Sequence, residues 1–76
     1  MKSLRGKVAV VTGSAGGLGR GLAVHLAQEG CAVALVDVDE PGLNQSAEQC
    51  WRAGSPSVSE HVIDVACREG VRRLRE

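Results

Sequence analysis

Short runs of apolar residues alternate along the chain with longer stretches in which apolar residues recur every three or four positions. Two of the runs, residues 7–12 and 31–36, consist mainly of Val and Ala. Unbroken apolar runs of this length are typical of strands buried on both faces of a parallel sheet. Residues 58–65 instead mix apolar and polar side chains, and this polarity predicts a third strand nearer the edge of the sheet.

The stretch between the first two strands predicts a helix from Leu18 to about Glu29. A leucine occurs at every fourth position, and two alanines lie beside that stripe. The apolar positions of this helix are Leu18, Leu22, Leu26, Ala23 and Ala27. Gly30 follows the helix and suits a left-handed C-terminal cap.

A second helix is predicted between the second and third strands. Pro41 fits its first turn, where a missing N–H costs little, and Ala53 and Gly54 close it. Its apolar stripe consists of Leu43, Ala47, Cys50 and Trp51. Residues 55–57 are a turn, and the sequence from Cys67 onward predicts the beginning of a third helix.

The predicted order is therefore β-α-β-α-β followed by a helical stub. Strands that alternate with helices indicate right-handed parallel crossovers, so we expect an α/β fold: the three-stranded parallel half of a doubly wound, Rossmann-type sheet. In such a sheet the first strand is central, and without a fourth strand residues 8–11 would form an exposed apolar edge that invites association. We therefore expect residues 1–76 to be one incomplete domain, either unstable, oligomeric, or the N-terminal part of a longer protein.

Composition narrows the possible partners. The 76 residues carry nine basic and nine acidic side chains, which argues against nucleic-acid binding and against a polybasic membrane anchor. No apolar stretch approaches the roughly 20 residues needed to span a bilayer. Three cysteines at irregular spacing fit reduced thiols, so we expect a cytoplasmic protein. His25 and His61 have no partner at ligand spacing, and no metal site is expected.

The loop after the first strand has the chemistry of an anion site. It contains glycines in the spacing G-x-x-x-G-x-G, at Gly13, Gly17 and Gly19. A helix N-terminus offers unpaired N–H groups and a partial positive charge to a diphosphate. We expect Gly13 to permit the tight turn, Gly17 to let the backbone approach the phosphates, and Gly19 to let the helix pack against the strand.

The sequence T-G-S-A-G-G-L-G at residues 12–19 resembles the cofactor motif of short-chain dehydrogenases/reductases. The entry G-K-V-A-V-V at residues 6–11 and the pair Asp64-Val65 are also similar to that family. The resemblance implies an oxidoreductase that binds a nicotinamide dinucleotide, with Asp64 and Val65 near the adenine. Asp64 alternatively caps the following helix. The expected cofactor-binding residues are Gly13, Ser14, Gly17, Leu18, Gly19, Asp37, Val38, Asp64 and Val65.

Asp37 follows the second strand directly and lies 18 residues after Gly19. An acid at this spacing accepts hydrogen bonds from the adenosine ribose and repels a 2′-phosphate, so we expect NAD rather than NADP. The position before the middle glycine, basic in many NADP-preferring relatives, is Gly16. Asp39 and Glu40 are alternative candidates for this contact with the ribose. Their other expected role is to stabilise the N-terminus of the next helix by their negative charge. Arg20 lies within the first helix, where we expect it to face solvent.

The family resemblance also implies residues that this chain lacks. The family uses a Tyr as general acid/base, with a Lys four residues later and a Ser, whereas this chain has no Tyr. No catalytic residue is therefore assigned. Two other functions stay open: a non-enzymatic dinucleotide-binding module that completes its sheet with a partner, and an S-adenosylmethionine-binding methyltransferase fold, in which an acid would be expected at the position of Thr12.

Overall fold

The computed structural model of the chain describes residues 4–64, and it contains three strands and two helices in alternation. In chain order these are β1 (Val8–Thr12), α1 (Gly17–Gln28), β2 (Ala32–Asp37), α2 (Glu40–Ala53) and β3 (Val58–Val62). The third strand is shorter than its predicted span of residues 58–65. Val65, the helical stub and Cys67 lie outside the described residues.

The three strands form one parallel sheet in the order β1-β2-β3. Val10 pairs with Ala34, which in turn pairs with Ser59, so the strands are in register across the sheet. Parallel strands place their carboxyl ends at one edge, and here that edge is formed by the residues that follow Thr12, Asp37 and Val62. The predicted half of a doubly wound sheet is confirmed.

The core lies between the two helices and one face of the sheet. Val11, Val33 and Leu35 project from the strands into a buried cluster. From the helices, this cluster receives Ala23, Ala27, Leu43, Ala47 and Cys50. The two alanines of α1 are fully buried, and Val24 and Leu26 pack at the margin of the same cluster.

Of the leucine stripe predicted for α1, Leu26 is partly buried and packs against the core, whereas the first two leucines do not face it. Leu18 is 95% exposed and Leu22 is about half exposed, whereas Ala23 and Ala27 are fully buried. Each alanine lies one residue after a leucine, which rotates the buried face by about 100° around the helix. On α2 the predicted stripe is buried with the exception of Trp51, which is half exposed.

Both helices end at the glycines that the sequence predicted. Gly30 and Gly54 adopt the left-handed conformation after α1 and α2, with φ of 88° and 109°. Asp39 caps the N-terminus of α2, where its Oδ1 accepts a hydrogen bond from the Gly42 N–H at 3.2 Å. Asp39 therefore stabilises the N-terminus of α2, which was its expected role if it did not contact the ribose.

Strand β1 is an edge strand of the described sheet, with pairing to β2 on one side only. Val8 and Val10 project from it and are exposed, whereas Val11 between the sheet and the helices is buried. Between residues 4 and 64, no helix is long and apolar enough to cross a membrane. Over the same residues, no three His, Cys, Asp or Glu side chains converge on a common point where a metal ion would fit.

Candidate nucleotide-binding site

The glycine loop, residues 13–19, connects the carboxyl end of β1 to the first turn of α1. Gly13 and Gly17 have φ of 66° and 59°, in the left-handed region that side chains disfavour. Glycines therefore stand at the two positions where the chain turns sharply, first out of the strand and then into the helix. Beside Gly17, the space that a Cβ would occupy is open.

Gly19 is required for a different reason, which is close packing. A Cβ on Gly19 would lie 2.0 Å from the carbonyl oxygen of Gly13, 2.7 Å from its carbonyl carbon and 3.0 Å from the Cα of Ser14. All three atoms belong to the backbone, so no side-chain movement would relieve the overlap. Gly19 was expected to let the helix pack against the strand, and the backbone that it approaches belongs to the loop residues directly after β1.

The N-terminus of α1 has no cap from the described residues. Gly16 is extended, with φ of −171°, and no side chain accepts a hydrogen bond from the first turn. The first bond within the helix runs from the Arg20 N–H to the Gly16 carbonyl at 3.3 Å. The N–H groups of Gly17, Leu18 and Gly19 thus lack acceptors inside the helix. With no acid in this turn, the helix end keeps its partial positive charge.

Ser14, predicted as a cofactor contact, has its side chain directed into the protein. It is fully buried, and both its N–H and its hydroxyl lie near the Val36 carbonyl oxygen, at 3.3 and 3.5 Å. The Ser14 carbonyl accepts a hydrogen bond of 2.5 Å from the hydroxyl of Ser46. In this arrangement Ser14 fixes the loop to β2 and α2.

Asp37, the last residue of β2, joins the strand to the glycine loop. Its Oδ2 accepts a hydrogen bond from the Ala15 N–H at 3.0 Å, and its Oδ1 accepts from the N–H groups of Val38 and Asp39 at 2.7 and 3.2 Å. The bond from Ala15, followed by that from Asp39, holds the pKa of the Asp37 carboxyl below its ordinary value, against a smaller opposing effect of desolvation. Asp37 is therefore ionised at neutral pH.

The remaining predicted residues lie at the same edge of the sheet or outside the described residues. Val38 follows Asp37 with its side chain exposed, and Leu18 projects from the first turn of α1 into solvent. Asp64 is exposed two residues beyond β3, at the carboxyl end of that strand. Val65 lies outside the described residues. The parallel topology thus gathers the described members of the predicted site at one edge.

Arg20, expected to face solvent, instead binds the loop and the second helix, so that expectation was wrong. Its Nε donates to the Ser46 hydroxyl at 2.8 Å, and its Nη2 donates to the carbonyl oxygens of Ala15 and Gly42. Sequence reasoning missed Gly42 and Ser46 as well. Their spacing of four residues, which puts two small side chains on one face of α2, was the available signal.

Comparison with known proteins agrees with this arrangement. Residues 7–76 match the family model described as short chain dehydrogenase. The protein SadH of Mycobacterium tuberculosis is 42% identical over 71 residues, which are 93% of this chain and 25% of that relative. The chain spans about a quarter of the length of this relative and of several others.

Solved structures of dehydrogenases and reductases share the fold. The crystal structure of NAD+-bound xylitol dehydrogenase superposes with a TM-score of 0.87 at 34% identity, over 97% of this chain and 28% of that one. The L-sorbose reductase of Gluconobacter frateurii, solved with NADPH and L-sorbose, gives a TM-score of 0.81 at 38% identity, over 90% of this chain and 26% of that one. With its glycine loop, its parallel sheet and a family match that covers residues 7–76, this chain belongs to the short-chain dehydrogenase family.

Proposed function

We propose that this chain binds NAD(H), with the diphosphate at the N-terminus of α1 and the adenosine ribose at Asp37. The observation that carries the proposal is the open first turn of α1, whose N–H groups have no acceptor in the helix and no side-chain cap. Gly17 leaves the approach to this turn free of a Cβ. The site therefore offers a dinucleotide both donors and room.

The residues present fit the two halves of such a ligand. The amides of Gly17, Leu18 and Gly19 are donors for the diphosphate oxygens. The Asp37 carboxylate is an acceptor for ribose hydroxyls, and it lies within 3.0 Å of the Ala15 N–H of the same loop. Donors for an anion and an acceptor for hydroxyls thus stand side by side. Val38, Asp64 and Val65 remain the proposed neighbours of the adenosine.

The preference for NAD over NADP rests on charge. Asp37 is ionised at neutral pH, and a second negative group on the ribose would meet its carboxylate directly. Gly16 supplies no cation that would offset this repulsion. The similar solved structures include one with NAD+ and one with NADPH, and the residues of this chain that favour NAD are Asp37 and Gly16.

Titration of the chain with NADH and with NADPH tests the proposal. We expect NADH to bind more tightly than NADPH. We expect Asp37→Asn to reduce this difference in affinity, because it weakens the binding of NADH and removes the charge repulsion that opposes the binding of NADPH. Glu40→Gln is the matched control, because it removes an equal charge from an exposed acid in the first turn of α2. Tighter binding of NADPH by the unmodified chain would overturn the preference, and failure to bind either dinucleotide would overturn the function.

In the complete protein, we propose that this segment serves an oxidoreductase that interconverts alcohols and ketones. The nicotinamide supplies or accepts the hydride when it is bound. Proton transfer to the substrate oxygen needs a residue with suitable acidity, and the 76 residues contain no Tyr to provide the family's phenol. We expect the isolated chain to bind NADH without oxidising it in the presence of ketones.

Two further proposals concern assembly and compartment. The exposed Val8 and Val10 on the edge strand β1 favour association with a second copy of the chain. Sedimentation of the chain and of Val10→Lys tests this, since the lysine should shift the population to monomer. The thiols of Cys31 and Cys50 are both free and buried, which suits a reducing, cytoplasmic environment.

A further inference from the structure

We infer that Arg20 is a positioning residue for cofactor binding, which holds the glycine loop and the N-terminal part of α2 in one fixed arrangement. The inference rests on the proposed function, because it concerns the same dinucleotide site. Arg20 directly follows Gly19, the last of the three residues whose amides we propose face the diphosphate, and its side chain donates to the Ala15 carbonyl oxygen in the loop.

The contacts of Arg20 connect α1 with two other parts of the structure, the glycine loop and α2. Its Nη2 donates to the Ala15 carbonyl oxygen in the loop, and also to the Gly42 carbonyl oxygen and Gln45 Oε1 on α2, both at 3.3 Å. Its Nε donates to the hydroxyl of Ser46 at 2.8 Å. A planar guanidinium has several donors in a fixed geometry, which lets one side chain hold partners on different elements.

Ser46 extends this connection to the residue before Ala15. Its hydroxyl accepts from Arg20 and donates to the Ser14 carbonyl oxygen at 2.5 Å, and its side chain is fully buried. Two consecutive carbonyls of the loop are therefore held by side chains, that of Ser14 by Ser46 of α2 and that of Ala15 by Arg20 of α1. The Ala15 N–H is held by Asp37.

Gly42 provides independent evidence that α2 presses against the loop. A Cβ on Gly42 would lie 2.7 Å from the Cβ of Ala15 and 2.9 Å from its carbonyl oxygen. The two elements thus meet without room for a side chain. A donor array that is fixed before the ligand arrives loses less entropy on binding, so rigid placement of the loop favours affinity.

The charge of Arg20 strengthens the case. All of its hydrogen-bond acceptors in the described structure are neutral: three carbonyl or amide oxygens and one hydroxyl. Its positive charge is therefore not neutralised by a carboxylate partner among these contacts. A partly buried cation beneath the loop favours an anion at the adjacent helix N-terminus.

The test compares Arg20→Gln and Ser46→Ala with Arg52→Gln. The last variant removes the same charge from an exposed arginine of α2 that is paired with Glu48. For each variant, NADH affinity is measured by titration, and amide hydrogen exchange by NMR reports on Ala15 in the loop and on Leu35 in the centre of the sheet. Exchange reports the placement of the loop without any ligand.

We expect Arg20→Gln to weaken NADH binding roughly tenfold, as the loss of a hydrogen-bonded charge would. The Ala15 amide should exchange faster while Leu35 keeps its protection. Ser46→Ala should act in the same direction with a smaller loss, and Arg52→Gln should match the unmodified chain.

Two results would overturn the inference. One is unchanged NADH affinity and unchanged Ala15 exchange in Arg20→Gln. The other is equal loss of protection at Ala15 and Leu35, which would make Arg20 a general packing residue. If the unmodified chain fails to bind NADH, the proposed function fails, while the exchange data still decide whether Arg20 fixes the loop.

Discussion

Replacing Gly19 by alanine should separate the packing role of the glycine loop from helix propensity. The added Cβ would overlap backbone atoms of Gly13 and Ser14, the nearest at 2.0 Å. Gly21 is the matched control, since it lies in the same helix, is exposed, and has nothing within 4 Å of its Cβ position. Both substitutions gain the same preference of alanine over glycine, roughly 1 kcal/mol.

The difference between the two variants is therefore the steric cost alone. Overpacking a rigid site costs about 1–3 kcal/mol, and the upper end applies here because the obstructing atoms belong to the backbone. We expect Gly21→Ala to be more stable than the unmodified chain and Gly19→Ala to be less stable than Gly21→Ala by about 3 kcal/mol. Because relief of the overlap must displace the loop, NADH affinity should also fall at least tenfold, about 1.4 kcal/mol.

Urea unfolding followed by circular dichroism measures the stability difference, and NADH titration measures the affinity. The two variants should have equal slopes against urea concentration, which would show that the unfolding transition is the same. Stabilities that agree within about 0.5 kcal/mol, the range expected for a neutral surface change, would refute the argument. Unchanged affinity with lowered stability would confine the role of Gly19 to folding.

Three other outcomes follow from the structure. Hydrogen bonds lower the pKa of Asp37 in the folded chain. Its contribution to stability is therefore complete above the ordinary pKa of 3.8 and is lost as pH falls through the lower folded value. Urea unfolding should show that the unmodified chain and Asp37→Asn differ in stability at neutral pH and that this difference disappears in acid. Burial raises the pKa of the Cys50 thiol, and Cys31 is also buried. In a Cys67→Ser variant, the thiols of Cys31 and Cys50 should react with a thiol reagent at least about tenfold more slowly in the folded chain than in urea. The buried hydroxyl of Ser55 lies 2.7 Å from the carbonyl oxygen of Cys31, so Ser55→Ala should lower the free energy of unfolding by about 1–2 kcal/mol, with Ser59→Ala on the exposed strand as a near-neutral control.

Local signals in the sequence were sufficient for the described strands and helices and for the ends of both helices, whereas β3 ends at Val62, before its predicted limit. Continuous apolar runs identified β1 and β2, and the glycines at positions 30 and 54 ended the helices at the left-handed residues seen in the structure. These features depend on neighbouring residues only. The family motif at residues 12–19 then placed the loop between β1 and α1.

The parts that sequence reasoning missed depend on contacts between distant elements. Arg20 was expected in solvent because a single helix offers it no partner, and its partners at Gly42 and Ser46 become neighbours only when α2 packs against the loop. Leu18 and Leu22 formed the more regular stripe, but the close approach of α1 to the core favours the smaller alanines. The spacing of apolar residues along one helix does not show which residues of other elements that helix will contact.

The central claim is that the open N-terminus of α1 holds the diphosphate of NAD(H). Titration of the 15N-labelled chain with NADH, followed through its backbone amide signals, tests this most directly. The account predicts that the largest shifts occur at the amides of Gly17, Leu18 and Gly19, with a second group at Asp37 and Val38. Saturable binding that leaves these amides unmoved and shifts signals elsewhere would contradict it.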